Sequence, residues 1–274
     1  MLKTYKYRLY PTQKQVQAID AMIETHRHIY NNALAERKNS WEERRESVSY
    51  GQQSASYKQA REFNQYYQKT NFSSAQRTLR RLDRAFRAFF RRAKAGEKPG
   101  YPRFKGRNRF DSVEFTYNDG VRIKGKALYV QHIGHIKIKL HRPINGIIKT
   151  AIIKRQAGRY YICFSVEYMP EPLERTGAVV GLDMGISNLV TTSDDTFFPP
   201  PKYLRQSERQ LRRLQRKVAR RRKGSNRRRK AVLELQRLHQ HIANQRRDTA
   251  HKIARYLVDN YDLIAVENLT LKDF

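Results

Sequence analysis

Apolar and basic positions alternate from the first residues of the chain. In KTYKYRLY, residues 3–10, Tyr5, Tyr7 and Leu9 interleave with Lys6 and Arg8, the period of a strand with one basic face. The pattern then changes to helical spacing, with Val16, Ile19, Met22, Ile23, Ile29 and Leu34 predicting a helix from Lys14 to about Lys38. Residues 39–70 are polar with little apolar periodicity and read as loosely helical or loop. SSAQRTLRRLDRAFRAFFRR, residues 73–92, is clearer: Leu79, Leu82, Phe86, Phe89 and Phe90 form one stripe and the arginines lie largely off it. A basic loop punctuated by glycine and proline, GEKPGYPRFKGRNRF, follows at 96–110. From 113 to 169, short β-like runs are separated by turn signals at Asn118-Asp119-Gly120, Lys124-Gly125, Asn145-Gly146 and Ala157-Gly158. Such spacing predicts a small antiparallel barrel, completed by the N-terminal strand, with the helices of 14–110 as an insertion.

After Glu171-Pro172 the texture changes again. AVVGLDMG, NLVTTSD and TFFPPP read as successive strands, a charged helical region spans 203–259, and DLIAVENL at 262–269 is another apolar run. Strands, a long helical excursion and a returning strand define a mixed α/β domain. Leu204, Leu211, Leu214 and Val218 form an apolar seam that Lys223-Gly224-Ser225-Asn226 interrupts and Val232, Leu235, Leu238 and Ile242 resume, as two antiparallel helices would. The expected architecture is α+β: a barrel from residues 1–13 and 111–172, helices over 14–110, and an α/β domain over 173–274.

Charge narrows the class of partner. The 274 residues carry 57 Lys+Arg against 25 Asp+Glu, a formal net charge of +32, and 39% hydrophobic residues against an ordinary ~45–50%. A polyanion relieves self-repulsion of that size, and counterion release makes nucleic acid the leading expectation. No 18-residue apolar run, signal peptide or lipidation motif is present, so a membrane partner is not expected. Cys163 is the single cysteine, which excludes an internal disulfide and a cysteine-based zinc ribbon within these residues and fits a reducing, cytoplasmic compartment. It lies in strand-like YYICFSVEY and is expected to be a buried structural thiol.

Two acids stand out. AVVGLD and DLIAVE are apolar runs that end in Asp183 and Glu267, and strands of this kind are expected to be buried on both faces. If they are neighbours in one sheet, the two carboxylates converge and cannot both stay ionised without a cation between them. Mg²⁺ or Mn²⁺ suits such oxygen donors together with substrate phosphate, and the matching chemistry is metal-assisted phosphodiester hydrolysis.

GLDMGISNLVTTSD resembles the first motif of a RuvC-like nuclease, and IAVENL resembles the second. With KYRLYPTQKQ, HRHIYNNAL, the helix from Gln76 to Phe90 and GYPRFK, the whole order is similar to the TnpB family of transposon-encoded RNA-guided DNA endonucleases, which are related to type V CRISPR effectors. The resemblance implies a wedge-type barrel, a helical recognition lobe over 14–110 and a ribonuclease H-like domain. It also implies a guide RNA, a double-stranded DNA target with a short flanking motif, Asp183 and Glu267 as catalytic metal ligands, and a prokaryotic, nucleoid-associated setting. The family places a four-cysteine zinc ribbon and a third catalytic aspartate after the glutamate strand, whereas these residues run to LKDF at 271–274. The expectation is therefore an incomplete domain without zinc, whose two-carboxylate site holds metal weakly.

Between residues 202 and 230, fifteen Lys/Arg accompany one acid, Glu208, a one-signed density suited to phosphate contact. Arg212, Arg213, Arg216, Arg220, Arg221 and Arg222 are the candidates there. Arg77, Arg80 and Arg84 on the arginine-rich helix, Arg103, Lys105 and Arg107 in the basic loop, and Lys6 and Arg8 on the first strand are further backbone contacts. Tyr5 is a candidate for base stacking. Gln76 matches the family's recognition helix, and its amide can pair bidentately with adenine. His132 and His135 have a ligand-like spacing in QHIGHIKIKLH, but the stretch alternates like a strand and no cysteine joins them.

Overall fold

The computed structural model of the chain describes residues 1–107 and 109–267. The chain divides into two compact units, Met1–Pro170 and Glu171–Phe274.

The first unit opens with strand β1 (Leu2–Tyr10), which buries Tyr5, Tyr7 and Leu9 and leaves Lys6 and Arg8 half-buried on the other face. Helix α1 (Gln13–Arg44) starts at a capping box: Thr12 accepts from the Gln15 amide and the Gln15 side chain accepts from the Thr12 amide. It runs past the expected end near Lys38 and stops where Arg45 turns left-handed, at φ 56°. A second capping box, Ser49 with Gln52, opens α2 (Tyr50–Phe63). Short α3 (Gln65–Gln68) and then α4 (Phe72–Lys94), capped by Asn71, follow. Residues 39–70 are thus mostly helical, started by polar caps that apolar periodicity does not register. Helix α4 buries Ala75, Leu79, Leu82 and Phe86, but Phe90 is exposed. The expected stripe ends one turn early because the last turns of the helix run beyond the core.

Strands β2 (Ser112–Thr116), β3 (Val121–Lys124), β4 (Ala127–Val130), β5 (Gly134–Lys139), β6 (Ile147–Gln156) and β7 (Arg159–Glu167) complete the unit. With β1 they make one barrel-like antiparallel sheet, ordered β2-β6-β7-β1-β5-β4-β3. The N-terminal strand therefore lies inside the sheet, between β7 and β5. Ala157 and Gly158, at φ 49° and 71°, close the β6–β7 hairpin, as a two-residue turn with both central φ positive requires. At Gly146, φ 114°, a Cβ would stand 2.2 Å from the Glu167 carbonyl oxygen, so only glycine fits. Helices and strands share one core: Ile19, Ile23, Leu34 and Leu82 belong to the same cluster as Tyr7, Phe115, Ile153 and Phe164. Cys163 is half-buried rather than buried. Desolvation raises its thiol pKa against the opposing pull of Lys6 and Lys154, which disfavours the nucleophilic thiolate.

The second unit contains β8 (Val179–Asp183), β9 (Val190–Thr192), β10 (Phe197–Phe198), α5 (Tyr203–Ala219), α6 (Asn226–Asn260) and β11 (Leu263–Val266). The sheet order is β10-β9-β8-β11, with β8 and β11 parallel. The expected burial on both faces is not found: Val180 is buried, but Val179 is 63% exposed and Leu263 58%. Val180, Leu182 and Ile264 share the covered face, while Val179 and Leu263 lie on a face open among the described residues. The two helices pack through Leu211, Leu214, Leu238 and Ile242, and Leu204, expected in this seam, is exposed. Tyr203 Oη meets Thr249 Oγ1 at 2.9 Å and Lys217 pairs with Glu234 at 2.6 Å, a pairing order that only antiparallel helices allow. Arg228 at the start of α6 donates to the carbonyls of Val218, at 2.6 Å, and Arg221, at 3.0 Å. It thereby adds a charged donor to carbonyls where α5 ends.

Candidate functional site

The parallel pairing of β8 and β11 brings the two acids together. Its register runs from Leu263 opposite Val179 to Val266 opposite Leu182, and the next residue on each strand is Glu267 and Asp183. Both side chains are exposed, and both line one shallow groove with Gly181, Thr192 and Ser193. Ligand sites in open α/β sheets favour this end, outside the carboxyl ends of parallel strands.

Polar contacts hold that register. The Asp262 carboxylate accepts from the amides of Thr176 and Gly177, each at 2.9 Å, and from Thr176 Oγ1 at 3.2 Å. The Asp262 amide donates to the Ala178 carbonyl at 2.9 Å. The start of β11 is thus tied to the start of β8, and those backbone donors hold the Asp262 pKa below its ordinary value. Nearby, Tyr261 Oη donates to Asp194, and that carboxylate pushes the phenol up to about 12. Ser193 Oγ accepts from the Gly181 amide at 3.0 Å, joining β9's far end to β8. Sequence reading did not find Asp262 or Tyr261. Their only signal is position, immediately before an apolar strand. Replacing Asp262 by alanine is expected to speed hydrogen exchange in β8 and β11 and to weaken divalent-metal binding at the groove, whereas Asp262→Asn, which keeps one acceptor oxygen, loses less of both.

The donor set is two carboxylates on adjacent strands, facing solvent. Hard divalent ions take such oxygens and fill their remaining positions with water or phosphate, so the residues fit Mg²⁺ or Mn²⁺. Among the described residues, no group of three His, Cys, Asp or Glu side chains is placed to hold a metal; residues 268–274, with Asp273, lie outside them. His132 occupies a turn at φ 64° and the His135 ring lies 5.3 Å from Tyr129, so neither forms a ligand pair.

The basic candidates separate into engaged and open groups. Arg77 pairs with Glu114 at 2.5 Å and Arg84 with the same carboxylate at 3.3 Å. Arg80 donates to Tyr50 Oη at 3.1 Å and lies over its ring. Gln76 Oε1 accepts from Tyr50 at 2.9 Å, while its Nε2 is enclosed without a partner among the described residues. One edge of the expected bidentate amide is therefore occupied. Lys6 donates to Gln156 at 2.8 Å above the Tyr161 ring, and Arg8 covers Tyr10. Arg103 and Arg107 are exposed, whereas the Lys105 backbone is fixed by Asn31 and Arg27. Tyr5 is a correction: at 4% exposure, packed on Tyr7, it has no free ring face for a base. The alternation does mark a strand, and Tyr5 points to its core side.

In the second unit, Arg212 is taken up by Glu208 at 2.6 Å. Arg213, Arg216, Arg220 and Arg221 line one groove with Arg209 and Lys217, and Arg222 is exposed. Glu234, paired with Lys217, is the acid in that groove, so it stays strongly positive.

Comparison with known proteins places the chain in a family. Residues 161–274 match a family described as "Probable transposase" of the OrfB/IS605 type, and residues 1–46 match its "Helix-turn-helix domain", although those residues hold a strand and one unbroken helix. "Putative RNA-guided DNA endonuclease InsQ" of Escherichia coli K12 is 30% identical over 278 residues, 99% of this chain and 67% of that protein. "Putative RNA-guided DNA endonuclease" of Streptomyces pristinaespiralis is 32% identical over 277 residues, 99% of this chain and 68% of its own length. The chain belongs to the TnpB family and spans about two thirds of these relatives. A Cas12f1–sgRNA–target DNA complex covers 98% of the chain and 73% of its own at 13% identity and a TM-score of 0.39. A CRISPR-Cas12f ternary complex covers 94% and 64% at 12% identity and 0.45. At those scores neither likeness carries structural weight. No helix among the described residues is long and apolar enough to cross a membrane.

Proposed function

We propose that this chain is an RNA-guided DNA-binding protein of the TnpB endonuclease type, and that its second unit is a ribonuclease H-like domain with Asp183 and Glu267 as metal ligands. The observation that carries the reading is the parallel register bringing these two carboxylates, remote in sequence, to one groove. Bound there, Mg²⁺ or Mn²⁺ supplies Lewis-acid stabilisation and an activated water for phosphodiester hydrolysis. The chain's own part is to hold the two oxygens in register through Asp262, and to lay the strand along the arginine groove of α5 and α6 without reading its bases. Sequence is then read by the guide RNA, and a short flanking duplex motif by the first unit.

The test is purification followed by binding. The protein is expected to carry a structured RNA and to bind duplex DNA chosen by that RNA's free end. DNA binding that is indifferent to the RNA contradicts the proposal. One observation favours a second reading, occupancy without cleavage: no third metal-ligating side chain joins the pair among the described residues. On that reading nucleic acid is bound, guided or unguided, no divalent metal elicits a cut, and alanine at 183 or 267 changes nothing.

A further inference from the structure

Helix α4 and strand β2 face each other with matched periods. Ser112, Glu114 and Thr116 alternate with buried Val113 and Phe115 along β2 and stand on its outward side. Arg77, Arg81 and Arg84 sit at i, i+4 and i+7 on α4, one face of the helix. The two rows meet in a small cleft lined by the three arginines, Ser112 and Glu114. Glu114 bridges Arg77, at 2.5 Å, and Arg84, at 3.3 Å. Arg77 Nε also donates to Thr116 Oγ1 at 3.1 Å. Arg81 makes only a long 3.4 Å contact to Ser112 Oγ and lies 4.9 Å over the Phe110 ring. It pairs with no carboxylate among the described residues.

Three guanidinium groups thus share a partly enclosed cleft with one carboxylate that pairs with two of them, leaving two positive charges uncompensated. A surface that merely joined a helix to a sheet would be expected to match its charges, since unpaired like charges held together oppose packing. The cleft also supplies the Ser112 hydroxyl, which with the arginine forks forms a donor set that phosphate oxygens take. A carboxylate is the internal group nearest to phosphate in charge and acceptor geometry.

We infer that the α4–β2 cleft is a binding site for a nucleic-acid backbone phosphodiester, in which Glu114 occupies the place of the phosphate and competes with it. The inference rests on the chain's being a nucleic-acid binder and is independent of guidance and of cleavage. Glu114 acts as a charge brake on this site: it keeps Arg77 and Arg84 ordered in the free protein and lowers affinity by one charge.

The test measures binding of the full chain to a structured RNA, to duplex DNA of arbitrary sequence and to inorganic phosphate, across a salt series, for wild type, Glu114→Gln and Arg81→Gln. Glu114→Gln is expected to tighten binding to at least one polymer by about eightfold at 0.1 M salt and to steepen the slope of log K against log salt by about 0.9. Arg81→Gln is expected to make that slope shallower by a similar amount. The polymer that responds identifies the strand that occupies the cleft. Unchanged or weakened binding by folded Glu114→Gln overturns the inference, as does a response to inorganic phosphate alone. Should Glu114→Gln fail to fold, Arg81→Gln decides, because Arg81 holds no carboxylate and an unchanged slope there overturns the inference equally. Loss of guide dependence in the wild type, with these slopes intact, contradicts the proposed function and leaves the cleft standing.

Discussion

Alanine at Asp183 or at Glu267 is expected to reduce metal-dependent DNA cleavage by at least about two orders of magnitude, the scale of removing one charge-stabilising group from a site. DNA affinity under guide RNA should change by less than about twofold, because phosphate contacts to arginines set it. The two effects separate because the residues lie apart in role. The acids sit at the strand ends of β8 and β11, whereas the arginine groove lies on α5 and α6. Both variants should fold, since each acid is exposed and supports no core. Charge-neutral Asp183→Asn should fail as fully as alanine, which separates loss of metal ligation from loss of side-chain volume. Cleavage that survives in both alanine variants removes the acids from the chemistry.

The largest expected effect on stability comes from a residue with no part in that chemistry. His26 on α1 is fully buried, with Nδ1 2.8 Å from the Met22 carbonyl and Nε2 2.8 Å from Ser74 Oγ. Burial pushes its pKa down to about 4 from 6.5, with the Met22 contact opposing. The unfolded chain therefore binds more protons than the folded one between these values, and stability must fall as pH drops through that window. The contribution is complete above pH 6.5. About 2 kcal/mol of it is lost by pH 5 and about 3 kcal/mol by pH 4. The chain has eight histidines, all of a type that titrates near this window, so the comparison with a variant rather than the pH range isolates His26. Urea unfolding at pH 7 and pH 5 measures the difference, and His26→Gln should flatten it. An equal loss in the variant would assign the acid sensitivity to another group.

Much of this fold was legible in the order of residue types. The alternation Tyr5-Lys6-Tyr7-Arg8 marks a strand, and Lys223-Gly224-Ser225-Asn226 marks the break between two helices whose leucines then pack together. The failures share a physical cause: periodicity reports which side chains share a face, not what lies opposite that face. Tyr5 was correctly placed on a strand face and wrongly placed outside. Val179 and Leu263 belong to apolar runs that look doubly buried, yet one of their faces is open among the described residues. Helix α2 has weak apolar periodicity because it buries only Gln53 and Tyr57; its readable signal is the polar pair Ser49 and Gln52. At the candidate site the acids were found because each interrupts an apolar run. Asp262 and Glu114 escaped notice because their meaning lies in partners on other elements, the amides of Thr176 and Gly177 and the side chains of Arg77 and Arg84.

The central claim is that one ion is shared between β8 and β11, and Mn²⁺ affinity tests it most directly. Paramagnetic resonance would count bound ion on the RNA-free protein for wild type, Asp183→Ala, Glu267→Ala and the double variant. The shared site predicts that each single substitution removes the same bound ion and that the double variant loses nothing more, a strong departure from additivity. Wild-type Mn²⁺ affinity in both single variants, or losses that add as two independent sites, would contradict it.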